Sequence, residues 1–247
     1  MLISLCGAGG KTSTLFWLAE HLRQSGKRVL ITTTTRMFLP DPSQYRQLII
    51  EHAAERQLAA CKALPAGGGI TALFRSIDLE SNKVSGPEPE NLDRIKAENL
   101  FDVILVEADG ANRRLLKVPA AHEPCIPGAS DIVIALTGGA MIGAQASPET
   151  IHRWEGFQAL TGLKEGEVIG WAVLDRLLGH PEGFFKGAPS LSRRIWFING
   201  AYQNESDWQP ELIRLLGSHP EIEAIWQGAV QETEAIRHCW RHRPVPA

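Results

Sequence analysis

Residues 3–14 read Ile-Ser-Leu-Cys-Gly-Ala-Gly-Gly-Lys-Thr-Ser-Thr, and Leu15-Phe16-Trp17-Leu18-Ala19 continues in a helix-like pattern. An apolar strand, a glycine turn and a helix start, in that order, constrain the fold more than any other feature. Such a turn lets backbone N–H groups crowd around an anion, and the helix dipole adds partial positive charge at the same spot. Gly7, Ala8, Gly9 and Gly10 would form the cradle, with Ser13 beside it. Lys11, exposed in the loop, would reach the outer phosphates, and the Thr12 hydroxyl would sit on Mg²⁺. The full pattern G-x-x-x-x-G-K-[ST] needs glycine where Leu5 stands, so the chain carries the shorter Gly7-x-x-Gly10-Lys11-Thr12. A glycine turn that binds nothing is the competing explanation, and the placement between strand and helix argues against it.

Apolar β-rich runs alternate with helical segments, which predicts a single α/β domain with a three-layer, mostly parallel sheet. The strands expected are Leu2–Cys6, Arg28–Thr33, Asp102–Glu107, Asp131–Leu136, Arg194–Ile198 and Ile222–Trp226, each a nearly continuous apolar run. Helices are expected over Thr12–Ser25, Pro89–Leu100, Pro148–Thr161, Glu167–Leu178 and Pro210–Gly217. Within residues 65–87 the triple glycine, Ile70–Ile77 and Val84-Ser85-Gly86 read as an antiparallel hairpin inserted into that scheme. Gly179–Ser192 carries Phe184-Phe185-Lys186-Gly187 at its centre. Packing of the two rings against the body is favoured over a lid.

Composition narrows the partners. The chain of 247 residues is 44% hydrophobic, enough to bury a full core. A net charge of −3 offers no basic face for nucleic acid or an anionic membrane. No apolar run approaches the roughly 18 residues of a transmembrane helix. The first strand begins at once, which leaves no room for a signal peptide and implies that any natural upstream residues are missing. Cys6, Cys61, Cys125 and Cys239 lie far apart with no C-x-x-C, so a reduced, cytoplasmic protein is expected rather than a zinc site or a disulfide framework.

In an open parallel sheet, ligands bind outside the carboxyl ends of the strands. One such end carries Thr32 to Thr35 and then Arg36, which offer hydroxyls and a cation to phosphate, metal or substrate. Thr34 is a candidate substrate contact and Arg36 a candidate for transition-state charge. β-propensity alone would also place threonines there. A second end runs from Phe101 through Val106 into Glu107-Ala108-Asp109-Gly110. Carboxylates at i and i+2 of an extended chain share a side. Asp109 is expected to hold the metal with Thr12, while Glu107 orients or deprotonates water. The loop Arg113-Arg114-Leu115-Leu116-Lys117 continues to His122-Glu123-Pro124. Lys117, His122 and Glu123 there suit an anionic substrate or transition-state charge. A further strand ends in Asn199-Gly200, similar to the base-reading Asn-Lys-x-Asp of GTP-binding proteins. Gly200 and Tyr202 replace the lysine and the aspartate, so ATP and GTP are expected to bind alike.

At these residues the chain resembles the YqeC family, accessory proteins of selenium-dependent molybdenum hydroxylases. The matching elements are Gly7–Thr12, Thr32–Met37, Val106-Glu107-Ala108-Asp109-Gly110-Ala111, Lys117-x-Pro119 and His122-Glu123-Pro124. Leu160-Thr161-Gly162 and Lys186-Gly187-x-Pro189 follow, so the likeness spans most of the chain. It implies a P-loop NTPase-like fold that binds a nucleoside triphosphate with Mg²⁺. It also implies a role in maturing such a hydroxylase, with that enzyme or its cofactor as partner. A small-molecule kinase or ligase, and a non-catalytic nucleotide-gated chaperone, are the rival functions. The short loop also resembles that of Mur-type ligases, a local likeness only.

Overall fold

The structure, a computed structural model, describes residues 1–65, 67–200 and 205–242. β1 (Leu2–Gly7) leads into α1 (Lys11–Gln24), β2 (Arg28–Thr33) and a short β3 (Arg36–Phe38). Next come β4 (Gln47–Ile50), α2 (Ala54–Lys62), β5 (Gly69–Phe74), β6 (Ser76–Asp78) and β7 (Lys83–Ser85). The middle of the chain forms α3 (Pro89–Ala97), β8 (Val103–Glu107), β9 (Leu116–Lys117), β10 (Ile132–Gly138) and β11 (Ile151–His152). It ends with α4 (Trp154–Thr161), α5 (Trp171–Gly179), β12 (Arg193–Asn199), α6 (Glu205–Ser218), β13 (Ile222–Gly228) and β14 (Ile236–Arg241).

Nine strands form one sheet in the order β14-β13-β12-β10-β1-β8-β2-β5-β4. Every neighbouring pair is parallel except β13 with β14. β1, β8 and β10 are buried along their whole length, as central strands covered on both faces must be. On one face, Leu15 and Ala19 of α1 pack with Leu5, Ile31, Leu105 and Ile134. On the other, Leu92 and Ile95 of α3 cover Leu2, Leu30 and Ile104. Phe157, Leu174, Leu177, Leu212 and Leu215 from α4, α5 and α6 cover Val133, Trp196 and Ile225 on that same face. The result is a three-layer α/β architecture consistent with P-loop-like folds. Register sets the strand ends level, with Leu5 and Thr33 both opposite Glu107 and Gly7 opposite Leu136.

The segment around residue 70 departs from expectation. β5 lies in the main sheet, parallel to β2 and β4, and does not fold back as a hairpin arm. Ile70, Thr71, Ala72, Leu73 and Phe74 are all buried, so both faces of this run need cover that a hairpin arm would lack. The hairpin is confined to β6 and β7, which β3 joins in a separate three-stranded sheet. The helix expected from Pro148 starts only at Trp154, because Ile151 and His152 pair with β9 and Arg153 turns through the left-handed region. The helix expected from Glu167 begins at Trp171, and the one expected from Pro210 starts earlier and contains that proline.

Phe184 and Phe185 are both buried, as favoured over a lid. The Phe184 ring sits 6.0 Å from that of Trp196 at an interplanar angle of 31°. Phe184→Ala should therefore cost about 3 kcal/mol in a urea unfolding titration, the usual loss for emptying a buried aromatic site. A loss below about 0.5 kcal/mol would mean that the segment does not seal the core.

Candidate functional site

Gly7, Gly9 and Gly10 all adopt positive φ, at 90°, 83° and 109°. A Cβ on Gly9 would lie 2.2 Å from the Gly138 nitrogen, and one on Gly7 would lie 2.4 Å from the Leu136 oxygen. These glycines let the turn press against the end of β10. The N–H groups of Gly7, Ala8 and Gly9 are accordingly spoken for. Gly7 donates to Asp109 Oδ2 at 3.1 Å, Ala8 to the Leu136 carbonyl at 3.0 Å and Gly9 to the Arg114 carbonyl at 3.2 Å. The expected cradle thus shifts along the chain. Gly10 caps α1 without a side-chain hydrogen bond, and the first turn holds no acid. Lys11, Thr12 and Ser13 supply the orphan N–H donors and the positive end of the dipole.

Asp109 is fully buried between two ammonium groups, Lys11 Nζ at 3.2 Å from Oδ1 and Lys117 Nζ at 3.0 Å from Oδ2. Lys117 is itself buried, donating to the Gly110 carbonyl at 2.6 Å and to Glu123 Oε2 at 2.9 Å. Glu123 Oε1 in turn lies 3.5 Å from Arg153. Five alternating charges, Lys11, Asp109, Lys117, Glu123 and Arg153, therefore run inward from the loop and back to the surface. Burial works to raise the Glu123 pKa, but Lys117, the Ala120 N–H and Arg153 outweigh it and hold the carboxyl down to about 2.

This chain of charges corrects three expectations. Asp109, expected at the open site, is enclosed by two ammonium groups and lies outside the cleft lining. Lys117 lies beneath the site instead of facing a substrate. Lys11 is only 4% exposed, its ammonium held by the Gly7 carbonyl at 2.6 Å as well as by Asp109.

Glu107 takes the position expected of Asp109. The Thr12 hydroxyl donates to Glu107 Oε2 at 2.7 Å, and both residues line the open cleft. Burial pushes the Glu107 carboxyl above its ordinary pKa, against the pull of Lys11 and the Thr12 hydrogen bond. Asn199 is already engaged in the framework: its Nδ2 donates to the Gly9 carbonyl at 2.7 Å and its Oδ1 accepts from the Val230 N–H at 3.1 Å. Tyr202 lies outside the described residues.

The cleft has a volume of about 1170 Å³ and brings together Gly9, Gly10, Lys11, Thr12, Ser13, Thr34, Arg36, Glu107, His122 and Glu123 from the expected set. Thr34 spends its hydroxyl on the Cys125 carbonyl at 2.7 Å, and Arg36, exposed at the rim, pairs with Asp78 at 2.9 Å. The walls also hold Phe38, Arg75, Lys83, His152 and Arg153, which no local motif marks. Seven lysines and arginines (Lys11, Arg36, Arg75, Lys83, Arg113, Arg114, Arg153) line the cleft beside three carboxylates, Glu88, Glu107 and Glu123, while Asp109 and Asp78 pair Lys11 and Arg36 from outside the lining. The wall is thus strongly basic in an acidic chain. Among the described residues, no group of three or more His, Cys, Asp or Glu is arranged to hold a metal ion, and no helix is long and apolar enough to cross a membrane.

The family model described as YqeC protein matches residues 3–155. The chain is 44% identical over 236 residues to the Escherichia coli (strain K12) protein named "Uncharacterized protein YqeC", covering 95% of this chain and 90% of that one. No solved structure matches it.

Removing Lys117 should expose the energetics of the buried charges. Lys117→Met leaves Asp109 and Glu123 short of a cation and should cost about 3–5 kcal/mol in urea unfolding at neutral pH. Because the Glu123 pKa falls from 4.5 to about 2 on folding, its contribution is full above 4.5 and fades as pH drops toward 2. That acid-side loss should shrink in the variant. An unchanged slope of stability against pH would separate Lys117 from Glu123.

Proposed function

The chain belongs to the YqeC family, and on that premise we propose that it binds and hydrolyses a nucleoside triphosphate with Mg²⁺ at the start of α1. The observation that carries this is the 2.7 Å hydrogen bond from the Thr12 hydroxyl to the Glu107 carboxylate, beside an uncapped helix N-terminus in a basic cleft. A hydroxyl and one carboxylate make a hard-oxygen donor pair suited to Mg²⁺, which keeps waters and phosphate oxygens as its other ligands. Bound there, Mg²⁺ would offset charge on the outer phosphates.

The protein's own groups divide the remaining work. The N–H groups of Lys11, Thr12 and Ser13 receive phosphate oxygens. Lys11 reaches them by turning from Asp109, which keeps Lys117 and the Gly7 N–H as partners. That retained pairing lets one cation leave without stranding a buried carboxylate. Glu107, whose carboxyl burial pushes above its ordinary pKa, is the group proposed to take a proton from water. Arg36 and His122 line the cleft wall, and in this proposal they meet developing charge. Maturation of a selenium-dependent molybdenum hydroxylase, as the task that turnover serves, is supported by the family resemblance alone.

A thermal-shift panel of ATP, GTP, CTP and their diphosphates, with and without Mg²⁺, tests the binding claim. Triphosphate at 100 times its dissociation constant should add about 2.7 kcal/mol of stability. ATP and GTP should bind within about tenfold, a gap of about 1.4 kcal/mol, since Gly200 and Tyr202 stand where a lysine and an aspartate would read guanine. Thr12→Ala and Glu107→Gln should each remove most of the Mg²⁺-dependent gain, whereas Asp109→Asn should lower the stability of the free protein. A flat panel would overturn the proposal.

A further inference from the structure

The wall of the cleft contributed by β3 and β7 has features that a triphosphate at α1 does not use. Phe38 on that wall is 47% exposed, so its ring faces are open to cations from neighbouring elements. Lys83 Nζ and the Arg113 guanidinium carbon each lie 5.3 Å from the centre of that ring. One ring thus gathers two cations from separate elements, and an anion bound beside it would be attracted by both. Arg36 and Arg75 beside them are paired with Asp78 and Glu88. Lys83 and Arg113, among the described residues, have no carboxylate partner.

The placement of Arg113 is built into the backbone. Asn112 and Arg113 both adopt positive φ, 46° and 59°, a conformation that costs non-glycine residues energy and gathers at functional sites. Three hydrogen bonds enforce the turn. Arg114 donates to the Ala111 carbonyl at 2.8 Å, Leu115 donates to the Thr150 carbonyl at 3.2 Å, and Gly9 donates to the Arg114 carbonyl at 3.2 Å. The last of these fastens the Arg113 turn directly to the phosphate loop. The cleft, about 1170 Å³, is also larger than the roughly 300–1,000 Å³ usual for a single small ligand.

We propose that Lys83 and Arg113, held by Phe38, form a second anion subsite that takes the phosphate group of a small-molecule co-substrate while the nucleotide occupies α1. The proposal rests on the nucleotide assignment above and extends it from one ligand to two. Arginine supplies a planar fork for phosphate oxygens and lysine a mobile point charge.

Inorganic phosphate is the minimal probe, followed by ³¹P NMR on the full chain with the α1 site saturated by Mg²⁺ and the non-hydrolysable ATP analogue AMP-PNP. One equivalent of phosphate should bind with the analogue in place. Lys83→Gln and Arg113→Gln should each weaken phosphate at least fivefold and alter AMP-PNP affinity less than twofold. Loss of phosphate binding on adding AMP-PNP would mean one shared site and would overturn the proposal. So would phosphate binding that neither substitution changes. Failure of AMP-PNP itself to bind would instead refute the nucleotide assignment. The effect of the two substitutions on phosphate alone would then still decide whether the anion subsite exists.

Discussion

A single buried carboxylate organises this protein. Asp109 has no solvent to stabilise its charge, so it depends on the lysines and the N–H donor drawn around it. Lys11 comes from the start of α1, Lys117 from β9 and the Gly7 N–H from the end of β1, and the carboxylate itself lies just past β8. One charge therefore fixes four segments against each other. Glu123 then locks the loop after β9 onto the same Lys117, and Arg153 brings in the start of α4. The glycine turn before α1 is shaped less by its glycines alone than by the ionic core beneath it.

Much of the fold was legible because central strands announce themselves. β1, β2, β8, β10, β12 and β13 are nearly continuous apolar runs, the pattern of a strand covered on both faces. β4 and β14 were not legible because they lie at the two edges, with Leu48, Ile50, His238 and Cys239 exposed, and their sequences lack that continuity. Ile151 and His152 pair as a strand only because β9 is adjacent, a tertiary effect that overrides the helical pattern around them.

The site divides along similar lines. Lys11, Thr12 and Glu107 could be located from the strand–turn–helix order and the acid at a strand end. Spacing placed Glu107 and Asp109 on one side of the chain but carried no information about depth, so it did not reveal that Glu107 lines the cleft while Asp109 is buried behind it. Burial of Lys117 did leave a trace, since Leu115, Leu116 and Val118 surround it with apolar neighbours. The basic wall left none: its cations come from separate elements, and a net charge of −3 averages them away.

Asn199 bridges two carbonyl-to-amide gaps at once, giving a hydrogen to Gly9 and taking one from Val230. Aspartate has nearly the same outline but only accepting oxygens at neutral pH. In its place, an oxygen would face the Gly9 carbonyl, acceptor against acceptor. Leucine would fit the volume and satisfy neither end. The position is thus chemically restricted to an amide for architectural reasons, and an asparagine at the end of this strand is no guide to which base, if any, lies above it.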